Sequence, residues 1–186
     1  KKIMKGTKKL NVVKLFLWFI FLIYTVVVLG ATFVNRAPMN YENINIHIFS
    51  SYIKVWNRFS VLELRNLIFN ILMFLPFGFM LPLLFKKCDK FYITYLVGLC
   101  MTFFIEVLQL ISRRGIFELD DIVNNLLGCM IGYGIVMIFL LFSKKNSKSL
   151  KNKVLTLACY QLPFVITLIS FAIIFINRGY LNINLL

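Results

Sequence analysis

The sequence predicts an all-α, polytopic membrane helix bundle of five transmembrane helices, with the N-terminus inside and the C-terminus outside. Three observations carry that expectation. Hydrophobic residues fill 60% of the 186 positions and charged residues only 15%, with a mean hydropathy of +0.84, an apolar excess that a water-soluble domain of this length cannot bury. Five uninterrupted apolar runs each reach about the twenty residues that a helix needs to cross the hydrocarbon core. The lysines fall on alternate segments between those runs. Fourteen of the fifteen lie within 1–14, 86–90 and 144–153, which the positive-inside rule assigns to the cytoplasm.

Residues 1–14 form a basic cytoplasmic tail, and 15–34 a first span whose apolar run is too long for a secretory leader and is followed by no small-residue cleavage motif. An outer segment over 35–65 comes next, too short for a soluble domain. Within it residues 43–49 alternate as NINIHIF, the period of a short strand or an extended stretch at the interface. A core over 66–142 contains the second, third and fourth spans, at 66–85, 91–111 and 122–142. A second basic segment, 143–153, leads to a fifth span over 154–176 and an outer tail over 177–186.

The inner segments carry a net charge of +13 and the outer ones +2, with Glu106 placed within a span. The total of +14 therefore does not indicate nucleic acid, because orientation and contact with anionic lipid already require it. The four cysteines form no Cys-x-x-Cys pair and there is a single histidine, so neither a disulfide framework, a metal site nor a cofactor is expected. A composition rich in Ile, Lys, Asn and Phe suits a bacterium of low GC content.

Any function must then lie in the membrane or at its surface, and the polar residues inside the spans are the place to look. In the third span Thr102, Glu106, Gln109 and Arg113 are spaced four, three and four apart, on one helical face. At 1.5 Å per residue Glu106 sits roughly 8 Å below the outer boundary. A carboxylate at that depth needs a partner, a proton or a wet cavity. The second span enters from outside with Arg65, Asn66 and Asn70, then meets Pro76 and Pro82, which are expected to interrupt its inner half. The fourth span repeats the four, three, four spacing in Asp121, Asn125, Gly128 and Gly132, with the glycines as a helix-packing face. Three helices thus put polar faces at one depth on the outer side.

The segments RNLIFNILMFLPFGFMLP at 65–82, IEVLQL at 105–110 and RRGIFELDDIVNNLLGCMIGY at 113–133 resemble the VanZ-like family of membrane proteins. The shared pattern is Asn-x3-Asn leading to Phe-x-Pro-x-Gly, then Glu-x2-Gln, an Arg, an Asp pair, and Asn-x2-Gly-x3-Gly. It maps onto Asn66, Asn70, Pro76, Gly78, Glu106, Gln109, Arg113 or Arg114, Asp120, Asp121, Asn125, Gly128 and Gly132. The pattern weakens in the outer segment, where Ile48 stands in place of an expected proline before Phe49. The family is named for an accessory protein that raises resistance to the lipoglycopeptide teicoplanin. The resemblance therefore implies a multi-pass protein of the bacterial cell membrane with an envelope role and a possible part in glycopeptide resistance.

Each polar position also has a structural reading. Asn66, Asn70 and Asn125 can act as interhelical glue, worth about 0.6 to 2 kcal/mol each in a membrane. Gly128 and Gly132 read as packing residues, and Pro76 with Gly78 as shaping the second span. Glu106 can pair with Arg113 or Arg114 two turns on. Buried ion pairs seldom outperform apolar replacements, however, so the cluster at one depth favours function. The expectation is an outward-facing polar cleft of Asn66, Asn70, Glu106, Gln109, Arg113, Arg114, Asp120, Asp121 and Asn125 that binds a membrane amphiphile: a lipid head group, a cell-wall precursor or a lipoglycopeptide. The alternative is an intramembrane enzyme for a lipid-linked substrate with Glu106 or Asp121 as general acid or base. No nucleophile beside a base supports it. A proton-coupled transporter would need polar residues across the whole bilayer, and these stop in the outer half.

Overall fold

The computed structural model describes residues 2–34, 38, 44–58, 60–143, 152, 154, 155 and 161. Among them the regular structure is helical apart from one two-residue strand pair. Helix α1 runs over Lys2–Leu29 and ends in a π-helical turn, Gly30–Val34; β1 is Ile44–Asn45; α2 is Ser50–Arg58; α3 is Val61–Leu84; a 3₁₀ turn, Lys86–Asp89, leads to α4, Phe91–Ser112; β2 is Phe117–Glu118; and α5 is Leu119–Ser143. Four stretches, Val12–Phe33, Val61–Leu84, Phe91–Ser112 and Leu119–Phe142, are long and apolar enough to cross a membrane. They match the first four expected spans. The fifth, at 154–176, lies outside the described residues except for residues 154, 155 and 161, of which Gln161 donates to the Met130 carbonyl at 2.6 Å and to the Tyr95 hydroxyl.

Helix α3 starts at Val61 rather than at Asn66, because Ser60 is its N-cap. The Ser60 hydroxyl accepts the Glu63 N–H at 3.3 Å, and Ser60 with Glu63 has the spacing of a capping box. Pro76 and Pro82 do not interrupt the helix as the sequence suggested; both lie inside it. Pro76 leaves the Leu72 carbonyl, four residues back, without its helical donor, and the next carbonyl, that of Met73, accepts the Tyr24 hydroxyl of α1 at 2.7 Å.

The most extensive helix contact joins α3 and α5, and it is made by backbones. A Cβ on Gly78 would lie 1.9 Å from the Cys129 carbonyl oxygen, one on Gly128 2.0 Å from the Ile71 oxygen, and one on Gly132 2.0 Å from the Leu75 oxygen. Glycine on both helices thus removes the side chains that would hold the axes apart, as in small-residue interfaces of membrane helices. Around this seam pack Phe74, Phe77, Leu81, Ile105 and Cys129, all buried, with Tyr133, Val136 and Met137 further along α5. Helix α1 is peripheral. It touches α3 through Phe21 stacked on Phe77 at 6.0 Å, and the residue after α3 through Trp18 edge-on to Phe85 at 5.3 Å, while Leu15, Phe16, Phe19, Leu22 and Val26 stay exposed.

The turn between α3 and α4 is tied down at the opposite end from α2. Thr94 Oγ1 donates to the Cys88 carbonyl at 2.7 Å and Tyr133 Oη to the Asp89 carbonyl at 2.5 Å. Cys88 is buried there, and burial pushes its thiol pKa up, against a smaller lowering by Thr94.

The segment expected on the outer side is folded where it is described. The alternating stretch supplies β1, which pairs in parallel with β2, Ile44 opposite Phe117 and Asn45 opposite Glu118. The nine-residue α2 comes next in the chain.

Gly128→Ala and Gly132→Ala are expected to lower stability by about 1 to 3 kcal/mol, since the added methyl overlaps a carbonyl that the partner helix cannot withdraw. Gly30→Ala, with nothing within 4 Å of its Cβ position, should be neutral. Melting of the purified variants in one detergent checks the contrast.

Candidate functional site

At the end of the bundle that carries α2, the helices enclose a cavity of about 1080 Å³. Helix α3 gives it one long face, Leu62, Arg65, Asn66, Phe69, Asn70 and Met73, at helical spacing. Ile105, Glu106 and Gln109 of α4, Asp121 and Asn125 of α5, Ser51 and Lys54 of α2, Ala31 and Thr32 after α1, and Arg114, Gly115, Ile116 and Glu118 between α4 and α5 contribute to the rest. Six of the nine residues expected to form a ligand cleft line it directly: Asn66, Asn70, Glu106, Gln109, Asp121 and Asn125. Arg114 is a seventh.

Burial sorts these groups. Glu106, Gln109 and Asn125 are 1%, 2% and 1% exposed. Glu106 Oε2 accepts the Glu118 N–H at 3.1 Å, so the β2 backbone closes over the carboxylate. Asn70 Nδ2 donates to Asp121 Oδ1 at 2.5 Å, joining α3 to α5. Asn125 Nδ2 donates to Thr102 Oγ1 at 2.8 Å, joining α5 to α4. These two bonds are the interhelical glue that the sequence suggested. Yet Gln109 Oε1 and Asn125 Oδ1 are buried without a hydrogen-bond partner, an arrangement that costs about 1 to 3 kcal/mol per group.

The adjacent residues Asp120 and Asp121 face different tasks. Asp121 lines the cavity, whereas Asp120, 1% exposed, accepts the Phe49 N–H at 2.6 Å, the Ser51 N–H at 2.7 Å and the Ser50 hydroxyl at 3.1 Å. Its carboxylate thus sits on the N-terminus of α2, where orphan N–H groups and the helix dipole favour an anion. Phe49 has φ of 65°, a left-handed conformation that a bulky residue adopts only when held; Asp120 holds it. Tyr52 of α2 donates to Asn124 Oδ1, and burial, then the Asp120 charge, push its phenol pKa up to about 12. The raised value means that this hydroxyl stabilises the fold fully below about pH 10 and loses that contribution as pH rises toward 12.

The two arginines also separate. Arg113 ends α4 in the left-handed conformation, φ 56°, with the Arg113 N–H bonded to the Leu110 carbonyl and the Arg114 N–H to the Gln109 carbonyl, a Schellman turn with arginine in glycine's usual place. Its side chain is exposed. Arg114 turns back and donates to the Phe33 carbonyl at 3.0 Å, fastening the end of α1 to the cavity wall.

Lys54, Glu63, Arg65 and Glu118 also line the cavity, though none was among the expected ligand residues. Glu118 lies inside a motif segment and could have been found there. Lys54 is brought in by a helix with no span-like signature, and no local pattern marked it. Among the described residues no group of three His, Cys, Asp or Glu side chains could hold a metal ion.

Four membrane-length helices, with a polar cavity at one end of the bundle, define a multi-pass membrane protein. The sequence model of the VanZ/LLP1 family matches residues 12–142. That stretch covers four of the described helices almost entirely and the whole cavity, and the chain belongs to the VanZ/LLP1 family. Neither curated proteins nor solved structures gave a match.

Asp120→Asn should release α2 while leaving the bundle folded, because it removes the charge from three hydrogen bonds at the helix N-terminus, each worth about 1.5 to 3 kcal/mol when charged. Amide hydrogen exchange of Phe49 and Ser51 is expected to speed up by at least about tenfold (about 1.4 kcal/mol) relative to amides of α5.

Proposed function

We propose that this chain binds the polar end of a membrane amphiphile in the cavity between α3, α4 and α5, and does so without chemical change to it. The observation that carries the reading is one lining that sets accessible polar side chains, Lys54, Arg65, Asn66 and Arg114, beside the exposed apolar side chains of Leu62, Phe69 and Leu72. A molecule with one wet end and one greasy end matches both surfaces. A lipid head group, a cell-wall precursor and the anchored end of a lipoglycopeptide all have that form. The last connects this reading to teicoplanin resistance through the family resemblance.

The lysine distribution supports an outward-facing cavity. Residues 86–90 and 144–153 would lie inside, and the α2 end of the bundle outside. An enzymatic reading has one observation in its favour, that Glu106 and Asp121 line a common cavity. The hydroxyl of Thr32, also in the lining, donates to the Val28 carbonyl at 2.8 Å and so is not activated by a carboxylate.

The test compares Glu106→Gln and Asp121→Asn with the unaltered protein in cells where it gives an envelope phenotype such as reduced teicoplanin susceptibility. Both amides keep the shape and an acceptor oxygen for the Glu118 N–H and for Asn70. Membrane abundance should therefore stay within about twofold of normal, while the phenotype falls to that of cells lacking the protein. Full phenotype at normal abundance would defeat the reading. Purified protein incubated with lipid-linked precursors should retain them without product. Orientation is checked in a cysteine-free background with an impermeant thiol reagent: Ser112→Cys should label from outside and Lys87→Cys only after permeabilisation. The exposed Lys87 position is used because Cys88 is buried.

A further inference from the structure

The charged groups of the cavity divide into those engaged by the protein and those open to an occupant. The acids are engaged. Glu106 is buried beneath β2 and accepts the Glu118 N–H at 3.1 Å, Asp121 accepts Asn70 Nδ2 at 2.5 Å, and Glu118 accepts Asn45 Nδ2 at 3.4 Å. Glu63 lies in the first turn of α3, where the helix dipole favours a carboxylate. Gln109 and Asn125 are buried as deeply as Glu106, so an occupant meets other side chains.

The bases are open. Lys54 of α2 is half-buried and Arg65 of α3 exposed, and among the described residues neither side chain makes a hydrogen bond or an ion pair. Arg114, after α4, uses one guanidinium nitrogen on the Phe33 carbonyl and keeps further N–H donors. Three cations thus line one cavity from three separate elements. The Arg65 guanidinium stands 6.0 Å from the centre of the Phe69 ring, beside the apolar wall that Leu62, Phe69 and Leu72 expose. A cation held against apolar surface in a membrane is costly until an anion meets it. Over the whole lining, however, three bases face four acids, Glu63, Glu106, Glu118 and Asp121. With no surplus of positive charge, the cavity selects an anion through its accessible N–H donors rather than through its net field. A phosphate ester suits donors that come from several elements, because its oxygens point in different directions and arginine binds them in pairs. A carboxylate presents both oxygens on one side.

We infer that the accessible polar part of the cavity is a seat for a lipid-borne phosphate ester, its oxygens shared by Lys54, Arg65 and Arg114 and its chains laid along Leu62, Phe69 and Leu72. The inference rests on the amphiphile-binding reading above and specifies the polar group that is held.

The full chain, purified in non-ionic detergent, is titrated calorimetrically with dihexanoyl phosphatidylglycerol, with dihexanoylglycerol, which has no phosphate, and with glycerophosphoglycerol, which has no chains. Phosphatidylglycerol should bind at least about tenfold more tightly than either, the equivalent of one charged hydrogen bond. Arg65→Gln and Lys54→Gln should each lower that affinity about tenfold and leave dihexanoylglycerol unchanged. Neither change removes a hydrogen bond or ion pair among the described residues, so the fold is kept. Arg58→Gln removes an exposed cation of α2 outside the lining and should change nothing, which separates a seat in the cavity from general attraction of basic residues to anionic lipid. Equal affinity for dihexanoylglycerol overturns the phosphate assignment and leaves the amphiphile reading standing. Equal affinity for glycerophosphoglycerol makes a soluble phosphate ester sufficient and overturns both. An equal loss in Arg58→Gln overturns the seat in the cavity. Binding of none of the three by folded protein overturns the inference, while the amphiphile reading stands or falls on the cellular phenotype.

Discussion

The backbones of α3 and α5 touch, and the placement of the other helices and of the cavity depends on that contact. With glycine at 78, 128 and 132, carbonyl oxygens of each helix occupy the space where the other's side chains would stand. Lipid chains are as apolar as leucine, so no hydrophobic force pulls the helices together; close dispersion contact and interhelical hydrogen bonds do. Once the seam is set, Asn70 meets Asp121 across it. Asn125, one turn from Asp121 and three residues before Gly128, is carried round to Thr102 of α4. The cavity lies beside that seam, lined by the polar faces of α3, α4 and α5.

The cavity end of the bundle poses a second problem, since helix ends and buried carboxylates need partners. The short elements around α2 supply them. The β2 backbone closes on Glu106, Arg114 fastens the end of α1, and Asp120 anchors the start of α2. Phe49 and Arg113 both take left-handed backbone conformations at a cost of about 1 to 3 kcal/mol each. Both stand where the chain must turn sharply to fold back over the cavity. Strain of this kind persists only when surrounding contacts hold it, and the hydrogen bonds to Asp120 and within the Schellman turn are those contacts.

The four described membrane helices were legible because hydropathy and length depend on each residue separately and need no knowledge of neighbours. The polar faces of α4 and α5 were legible too, since helical period alone puts Thr102, Glu106 and Gln109 together, and Asp121 with Asn125. The packing role of Gly128 and Gly132 followed from their spacing. Long-range contacts were not legible. Nothing local distinguishes Asp120 from Asp121, because which of two adjacent carboxylates turns to α2 and which to the cavity depends on the orientation of α5 in the bundle. Arg113 and Arg114 differ for a similar reason: one is consumed by the turn that aims the other. Pro76 and Pro82 misled, because a helix breaker in isolation is tolerated inside a packed membrane helix, and both stand within α3. Helix α2 was missed for want of length, since nine residues whose N-terminus is completed by the distant side chain of Asp120 give little local signal.

Glycines permit the contact, the seam brings three polar helix faces together, and the cavity between them sets polar side chains beside an exposed apolar wall, the combination that the proposed amphiphile would meet. The central claim is that such a molecule occupies the cavity in the membrane. The most direct measurement places a photocrosslinking benzophenone at Phe69, exposed on the cavity rim, and a second at Leu96, exposed elsewhere on α4. Adducts formed in intact cells are then identified by mass spectrometry. An occupied cavity predicts that the Phe69 position captures one amphiphile far beyond its share of the bilayer, that Glu106→Gln abolishes this enrichment, and that Leu96 captures bulk lipid in either background. Adducts at Phe69 that match those at Leu96 in both would contradict it.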